Sequence, residues 1–168
     1  MTLLYEALAL AHLEELEALL LHEPVYRHIG GLPEPEAFRR RMRNMLAGPP
    51  EGSTELWLNV VVRDGAAGPL LGWLQATLHE GLAEVAFVYG PAHWGKGYAR
   101  QGLLWLHSHL AQFDGRPALW ATTVPANLRS QSLLQRCGYA LVDPASAPPL
   151  HSYDPGDLVF FRRLPSCD

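Results

Sequence analysis

Residues 89–99 contain several glycines and one lysine. They read Tyr-Gly-Pro-Ala-His-Trp-Gly-Lys-Gly-Tyr-Ala. The apolar periodicity that follows predicts a helix beginning close to Gly97. Glycine lets backbone approach a ligand without interference from a Cβ atom, and the first turn of a helix leaves N–H groups without partners inside the helix. The helix dipole also favours a negative group there. The segment therefore predicts a site for phosphate or pyrophosphate.

Several phosphate compounds could bind such a segment. Gly90, Gly95 and Lys96 agree with most of a nucleotide-binding P-loop, but Gly97 stands where the Ser or Thr that holds magnesium is needed. The dinucleotide-binding pattern fails at Arg100, where it requires glycine, and the strand–helix–strand context of both patterns is missing. A glycine turn that only starts a helix is the structural alternative, which this segment alone does not exclude.

A second block, residues 127–139, makes the interpretation more specific. It reads Asn-Leu-Arg-Ser-Gln-Ser-Leu-Leu-Gln-Arg-Cys-Gly-Tyr and begins about thirty residues after the glycine segment. The two blocks at this spacing resemble the GNAT superfamily of acetyl-CoA-dependent N-acetyltransferases, and more closely its RimJ/RimL-like branch, which acetylates ribosomal-protein N-termini. Residues 94–99 resemble the CoA loop of that branch, and residues 83–87 and 22–27 resemble two further family segments.

The resemblance implies that acetyl-CoA is the cosubstrate and that no metal takes part. In this fold the strand carrying residues 87–89 separates from its parallel neighbour, which leaves peptide groups for the pantetheine arm. Lys96 is either a charge at the rim or a solvated surface lysine. The residues that the resemblance implies for cofactor binding are Phe87, Val88, Tyr89, Trp94, Gly95, Lys96, Gly97, Tyr98, Ala99, Asn127 and Ser130.

Direct attack of an amine on a thioester requires a neutral amine, whereas lysine-type and α-amino groups are largely protonated at pH 7. A carboxylate near the sulfur can take that proton. Glu84 is the candidate, because its strand leads into the glycine segment and its neighbours Val85, Phe87 and Val88 are apolar. The alternative is a glutamate on the outer face of the sheet.

The departing thiolate benefits from a proton donor. Many GNAT enzymes have a tyrosine seven residues after the asparagine of the second block, but here that position is Leu134. Ser130 is the candidate donor instead, and its alternative is a hydroxyl that only bonds the first helical turn. Tyr153 and His151 could also reach the acceptor pocket. Asn127 suits a helix N-cap as well as a cofactor contact.

The elements that position these residues follow from hydrophobic periodicity and from Gly and Pro breaks. The pattern predicts one domain over residues 1–168 with an α/β (α+β) fold: a mixed, mostly antiparallel central sheet with helices on both faces, as in GNAT proteins. Predicted helices span 10–21, 36–47, 97–113 and 127–137. Predicted strands span 55–63, 70–79, 82–89, 118–124, 139–143 and 157–163.

Composition sets the remaining expectations. A net charge of −4 over 168 residues disfavours nucleic acid and anionic membrane as partners. Two cysteines form no disulfide framework, and no signal-like or membrane-spanning stretch is visible, so a cytoplasmic protein is expected. The expected partner is an amine acceptor: a small molecule, an amino-acid-like compound or a protein N-terminus. A homodimer, a bulkier acyl-CoA such as succinyl-CoA, and a non-catalytic CoA-binding module are left open.

Overall fold

A computed structural model of the chain describes residues 2–164. The α-helices of this range are α1 (Leu13–Leu20), α2 (Glu23–Tyr26), α3 (Pro35–Ala47), α4 (Tyr98–Leu110) and α5 (Leu128–Arg136). The strands are β1 (Leu3–Ala7), β2 (Leu56–Asp64), β3 (Leu70–His79), β4 (Leu82–Tyr89), β5 (Ala118–Thr123), β6 (Ala140–Val142) and β7 (Leu158–Arg162). Short 3-10 turns lie at Leu10–His12, Pro91–His93 and Pro144–Ser146.

The seven strands found within residues 2–164 form one sheet in the order β1-β2-β3-β4-β5-β7-β6. Neighbouring strands are antiparallel except β4 and β5, which are parallel. The β3–β4 hairpin turns at Glu80 and Gly81, whose φ angles of 48° and 77° are typical of the tight turns that join twisted strands. The predicted mixed, mostly antiparallel sheet is confirmed.

Helices cover both faces of this sheet. On one face, Leu103 and Leu106 of α4 and Leu134 of α5 share a buried core with Ala83 and Val85 of β4. A second core on the opposite face joins residues of α1, α2 and α3 to strands β2 and β3, and Val88 of β4 packs against it. Because side chains alternate along a strand, the odd-numbered residues of β4 face α4 and α5, and the even-numbered residues lie on the opposite face, where Val88 packs toward the first three helices.

The parallel strands β4 and β5 pair over a short stretch and then separate, and this point of separation is called the fork below. The described pairing of β4 with β5 covers three residues and ends where Glu84 meets Trp120. β4 continues to Tyr89, still paired with β3, while its other edge leaves β5. The sequence expectation of a separating strand at residues 87–89 is therefore confirmed.

The N-terminal region differs most from the predictions. β1 was predicted by no pattern, and it exists because its backbone pairs with β2, from Leu3 opposite Asp64 to Ala7 opposite Val60. The predicted helix 10–21 is a 3-10 turn followed by α1. Pro24 lies in the first turn of α2, where its missing N–H removes no hydrogen bond.

None of the helices within residues 2–164 has the length and apolar character needed to cross a membrane.

Candidate active site

A cavity of about 400 Å³ opens at the fork. Its walls are the free edge of β4, the loop before α4, the N-terminal part of α4, one side of α5, and α2 with the residues after it. Nearly all of the predicted cofactor residues line it: Phe87, Val88, Tyr89, Trp94, Gly95, Gly97, Tyr98, Ala99, Asn127 and Ser130. The fold thus brings together two sequence blocks that lie far apart in the chain.

The loop before α4 has the geometry that an anion site needs. Gly95 and Gly97 have φ angles of 74° and 81°, in the left-handed region that favours glycine. Gly97 is the N-cap residue of α4, and a Cβ atom built on either glycine would meet nothing within 4 Å. The space beside these two glycines is therefore open at the N-terminus of α4, where a phosphate can approach the backbone.

Trp94 fastens this loop at two points. Its indole Nε1 donates a hydrogen bond of 2.7 Å to the backbone carbonyl of Tyr89, at the end of β4. The guanidinium of Arg129, on α5, lies 4.0 Å from the centre of the indole ring, a cation–π distance. Trp94 therefore links the free edge of β4, the glycine loop and α5 on one side of the cavity.

Glycines on two neighbouring elements make room for Tyr89. A Cβ atom at Gly102 of α4 would lie 2.1 Å from the Tyr89 hydroxyl, and one at Gly72 of β3 would lie 2.5 Å from its ring. Burial raises the pKa of this hydroxyl, so it stays neutral. These contacts place α4 close against β4, and so set the glycine loop beside the fork.

Positive charge is concentrated at the cavity although the whole chain has a net charge of −4. Arg100, Arg129 and Arg136 line it, and among the described residues none of the lining side chains is a carboxylate. His93 also lines it, and burial followed by the nearby Lys96 lowers the pKa of that imidazole. The arginines suit the phosphate groups of CoA.

Sequence reasoning missed these arginines, although two signals were present. Arg129 and Arg136 are seven residues apart, two helical turns, on the helix that begins after Asn127. Arg100 lies in the first turn of α4, directly after the glycine loop. Each position alone resembles a solvated helix face.

Asn127 is the N-cap of α5, and the cofactor contact considered for it stays a prediction. Its Oδ1 accepts a hydrogen bond of 3.2 Å from the backbone N–H of Ser130, which makes it the N-cap of α5, and its side chain also lines the cavity. Ser130 is half-buried in the first turn and faces the same cavity. Leu134 is buried in the core at 1% exposure, so this position offers no proton donor.

Lys96 and Glu84 do not line the cavity. Lys96 is exposed, in agreement with the solvated alternative. Glu84 is 6% exposed and lies on the face of β4 that points away from α4 and α5. The catalytic role given to Glu84 stays a prediction, and its surroundings do not favour it.

Four hydrogen bonds occupy the Glu84 carboxylate. His79 Nε2 and the backbone N–H of His151 lie 2.6 and 2.7 Å from Oε1, and the backbone N–H and hydroxyl of Ser152 lie 2.9 and 2.5 Å from Oε2. Burial raises the pKa of this carboxyl, but the hydrogen bonds from Ser152, His151 and His79 together outweigh it and hold the pKa below its ordinary value. A group that binds protons this weakly is a poor base.

The imidazoles of His79 and His151 stack 4.1 Å apart beside this carboxylate. Ligand-type atoms of His79, Glu84 and His151 lie within 4.8 Å of one another, a separation that a metal ion could bridge. Hydrogen-bond donors already occupy both carboxylate oxygens, however, so the cluster is a hydrogen-bond network.

A family model, the acetyltransferase (GNAT) domain, matches residues 2–140. The chain therefore belongs to the GNAT acetyltransferase family and is an acyltransferase. A search of curated proteins finds no match.

Three solved structures illustrate the fold. An acetyltransferase from Salmonella typhimurium that modifies the N-terminal serine of ribosomal protein L7/L12 superposes with a TM-score of 0.78 at 17% identity, over 98% of this chain and 96% of that one. RimL, a ribosomal L7/L12 alpha-N-protein acetyltransferase in complex with CoA, gives 0.76 at 17% over 98% and 95%. Spermidine N-acetyltransferase from Vibrio cholerae, with CoA and spermine, gives 0.73 at 15% over 96% and 95%.

Proposed function

We propose that the protein transfers the acetyl group of acetyl-CoA to a primary amine by direct attack of the amine on the thioester. One observation carries this proposal: the free edge of β4 meets the glycine loop and an arginine-lined wall in a single cavity. Unpaired peptide groups suit the amide-containing pantetheine arm, and helix N-terminal N–H groups with arginines suit its phosphates. Crystallised neighbours with CoA support the same cosubstrate.

In the reaction the amine nitrogen bonds to the acyl carbon, the carbon–sulfur bond breaks, the amine loses one proton and the thiolate gains one. We assign Ser130 as the proton donor to the departing thiolate. Its backbone is fixed by the Asn127 cap, and its side chain faces the cavity beside the arginines. A hydroxyl placed there can donate a proton to the sulfur as the bond breaks.

For the acceptor we propose the RimJ/RimL-like class, a protein N-terminus or an amino-acid-like amine. The cavity favours an acceptor that is not strongly cationic, because none of its described lining residues is a carboxylate. A polyamine carries several positive charges, and carboxylates are the groups that would attract them. The α2 side of the cavity, with Val25 and His28, is the remaining wall available to an acceptor.

The test is a thiol-release assay with acetyl-CoA and a panel of amines: peptides with free N-termini, amino acids and polyamines. Release with peptides or amino acids supports the proposal, and a preference for spermine contradicts the acceptor class. Tight CoA binding without release for any amine would instead favour a non-catalytic CoA-binding module.

Ser130→Ala tests the proton donor. We expect kcat to fall at least about tenfold, toward the range found when general acids are removed, with a smaller effect on the Kd for CoA. Ser132→Ala, two residues along the same helix and exposed, is the matched control. Equal kcat values for the two variants would remove Ser130 from the mechanism.

A further inference from the structure

The turn at His151 and Ser152 is fastened to the sheet where β4 and β5 separate. Glu84, the last residue of β4 that pairs with β5, binds both backbone N–H groups of this turn. From β5, the hydroxyl of Thr122 donates a hydrogen bond of 2.7 Å to the Ser152 carbonyl. The turn is thus held by both arms of the fork.

Two further contacts secure the turn from other strands. His79, at the end of β3, bonds Glu84 and stacks on the His151 ring. Glu55, just before β2, lies 3.4 Å from His151 Nδ1 and also accepts a hydrogen bond of 2.7 Å from Trp57 Nε1. Nothing in the cofactor cavity requires this number of contacts, since neither Glu84 nor the turn lines it.

An exposed position lies two residues from Glu84 on the same face of β4. Ala86 is exposed although it is in the middle of β4 and both Glu84 and Val85 are buried. It shares a face with Glu84 and with Val88, which packs toward α1, α2 and α3. Along this face of β4, the exposed Ala86 therefore lies between Glu84, which binds the turn, and Val88, which packs toward the first helices.

We infer that Glu84 is a positioning residue for acyl transfer, whose ionised carboxylate holds the His151–Ser152 turn as one wall of the acceptor's path over Ala86. This inference rests on the proposed amine acetylation. Glu84 takes no proton from the amine, because donors occupy both of its oxygens. Glu84 affects the reaction only by holding the His151–Ser152 turn in position.

Glu84→Gln tests this inference directly. Either orientation of the new amide sets its NH₂ group opposite a backbone N–H, that of His151 in one and that of Ser152 in the other. The turn then keeps one of the two backbone bonds and has opposed donors at the other, so its attachment is weakened. We expect kcat/KM for the amine to fall at least about tenfold, mainly through KM, with the Kd for CoA unchanged.

Ser152→Ala and Thr122→Val remove single attachments and guard against a Glu84→Gln protein that does not fold. Each should raise the KM for the amine by a smaller factor. Ser146→Ala is the matched control, because its hydroxyl bonds Asp143 in the same long loop and does not contact Glu84. All variants should retain the pH dependence of kcat/KM that the wild type shows, at lower amplitude.

A catalytic base would behave differently. Glu84→Gln would then abolish the acidic limb of the pH profile, and Ser152→Ala would move that limb to higher pH, because one hydrogen bond that lowers the pKa of Glu84 would be lost. Either result overturns the inference, as does an unchanged KM in Glu84→Gln.

Hydrogen exchange separates failure of this inference from failure of the proposed function. Amides of residues 150–153 should exchange faster in Glu84→Gln and Ser152→Ala than in the wild type or Ser146→Ala, whether or not any amine is acetylated. Unchanged exchange refutes the attachment itself. If exchange is faster in these variants but the protein acetylates no amine, the turn is attached as described and its role in acyl transfer is refuted.

Discussion

Gly97→Ala separates the backbone cost of a left-handed residue from the cost of blocking a ligand. Gly97 has φ of +81°, and a Cβ atom there would meet nothing within 4 Å. The substitution therefore produces no clash in the free protein. The left-handed conformation costs alanine about 1–2 kcal/mol. A few tenths of a kcal/mol of this are offset, because alanine lowers the conformational entropy of the unfolded chain relative to glycine. We expect a loss of stability of about 1 kcal/mol.

The chain contains a matched control for this change. Gly52 has the same φ of +81°, and a Cβ atom there also meets nothing within 4 Å, but it lies in the turn before β2 and does not line the cavity. Gly52→Ala should lose the same stability. For a chain of this length, both melting temperatures should fall by about 2–4 °C.

Affinity for CoA should distinguish the two variants. In our proposal the open space beside Gly97 holds the pyrophosphate, so a methyl group there displaces at least one charge-assisted hydrogen bond from a backbone N–H. Such a bond contributes about 1.5–3 kcal/mol, which corresponds to a loss of about 10- to 150-fold in affinity. Calorimetric titration with CoA measures it. Equal Kd values for Gly97→Ala and Gly52→Ala, at equal melting temperatures, would refute the assignment of this loop to the cofactor.

Two further predictions test charge. Arg129→Ala should weaken CoA binding about fivefold at low ionic strength and less at high salt, because Arg129 lines the cavity and salt screens its charge. Arg40→Ala, exposed on α3, should leave the Kd unchanged at both salt concentrations. His107 is 4% exposed and bonds the Tyr139 hydroxyl, and burial followed by Arg162 lowers the pKa of His107 to about 4. The unfolded chain protonates this imidazole near its ordinary pKa of about 6.5, so the free energy of unfolding should fall as pH falls from about 6.5 to 4. Urea unfolding should show a loss of about 2 kcal/mol between pH 7 and 5. His107→Gln should remove most of that loss.

The strands next to the site could be predicted from the sequence because their signals are local. The spans 70–79 and 82–89 agree with β3 and β4, since alternating apolar residues and the Glu80-Gly81 turn lie within a few positions of one another. β1 could not be predicted in this way. Residues 3–7 form a strand only because β2, more than fifty positions later, offers a free edge, and strand formation depends on such neighbours.

In the candidate site, too, the features with local causes could be predicted and those that depend on distant residues could not. Glycines with positive φ and an N-cap asparagine are required by the local backbone, so residue type and spacing indicated them. Whether an arginine faces a cavity depends on how two helices lie beside each other, which no local pattern contains. Glu84 shows the limit most clearly: its strand was predicted correctly, but the donors that occupy its carboxylate come from residues 151 and 152.

Net charge and local charge lead to different conclusions for this protein. A value of −4 argues against an extended polyanion such as nucleic acid, because the field of the whole surface would repel it. The proposed cosubstrate is also polyanionic, but its phosphates would meet only the charges around one cavity. There the nearby arginines and helix N–H groups determine the potential, since exposed charges more than about 10 Å away are largely screened at ordinary salt. An acidic chain can therefore bind a phosphate-rich cosubstrate, provided that its carboxylates lie elsewhere or, like Glu84, are buried among donors of their own.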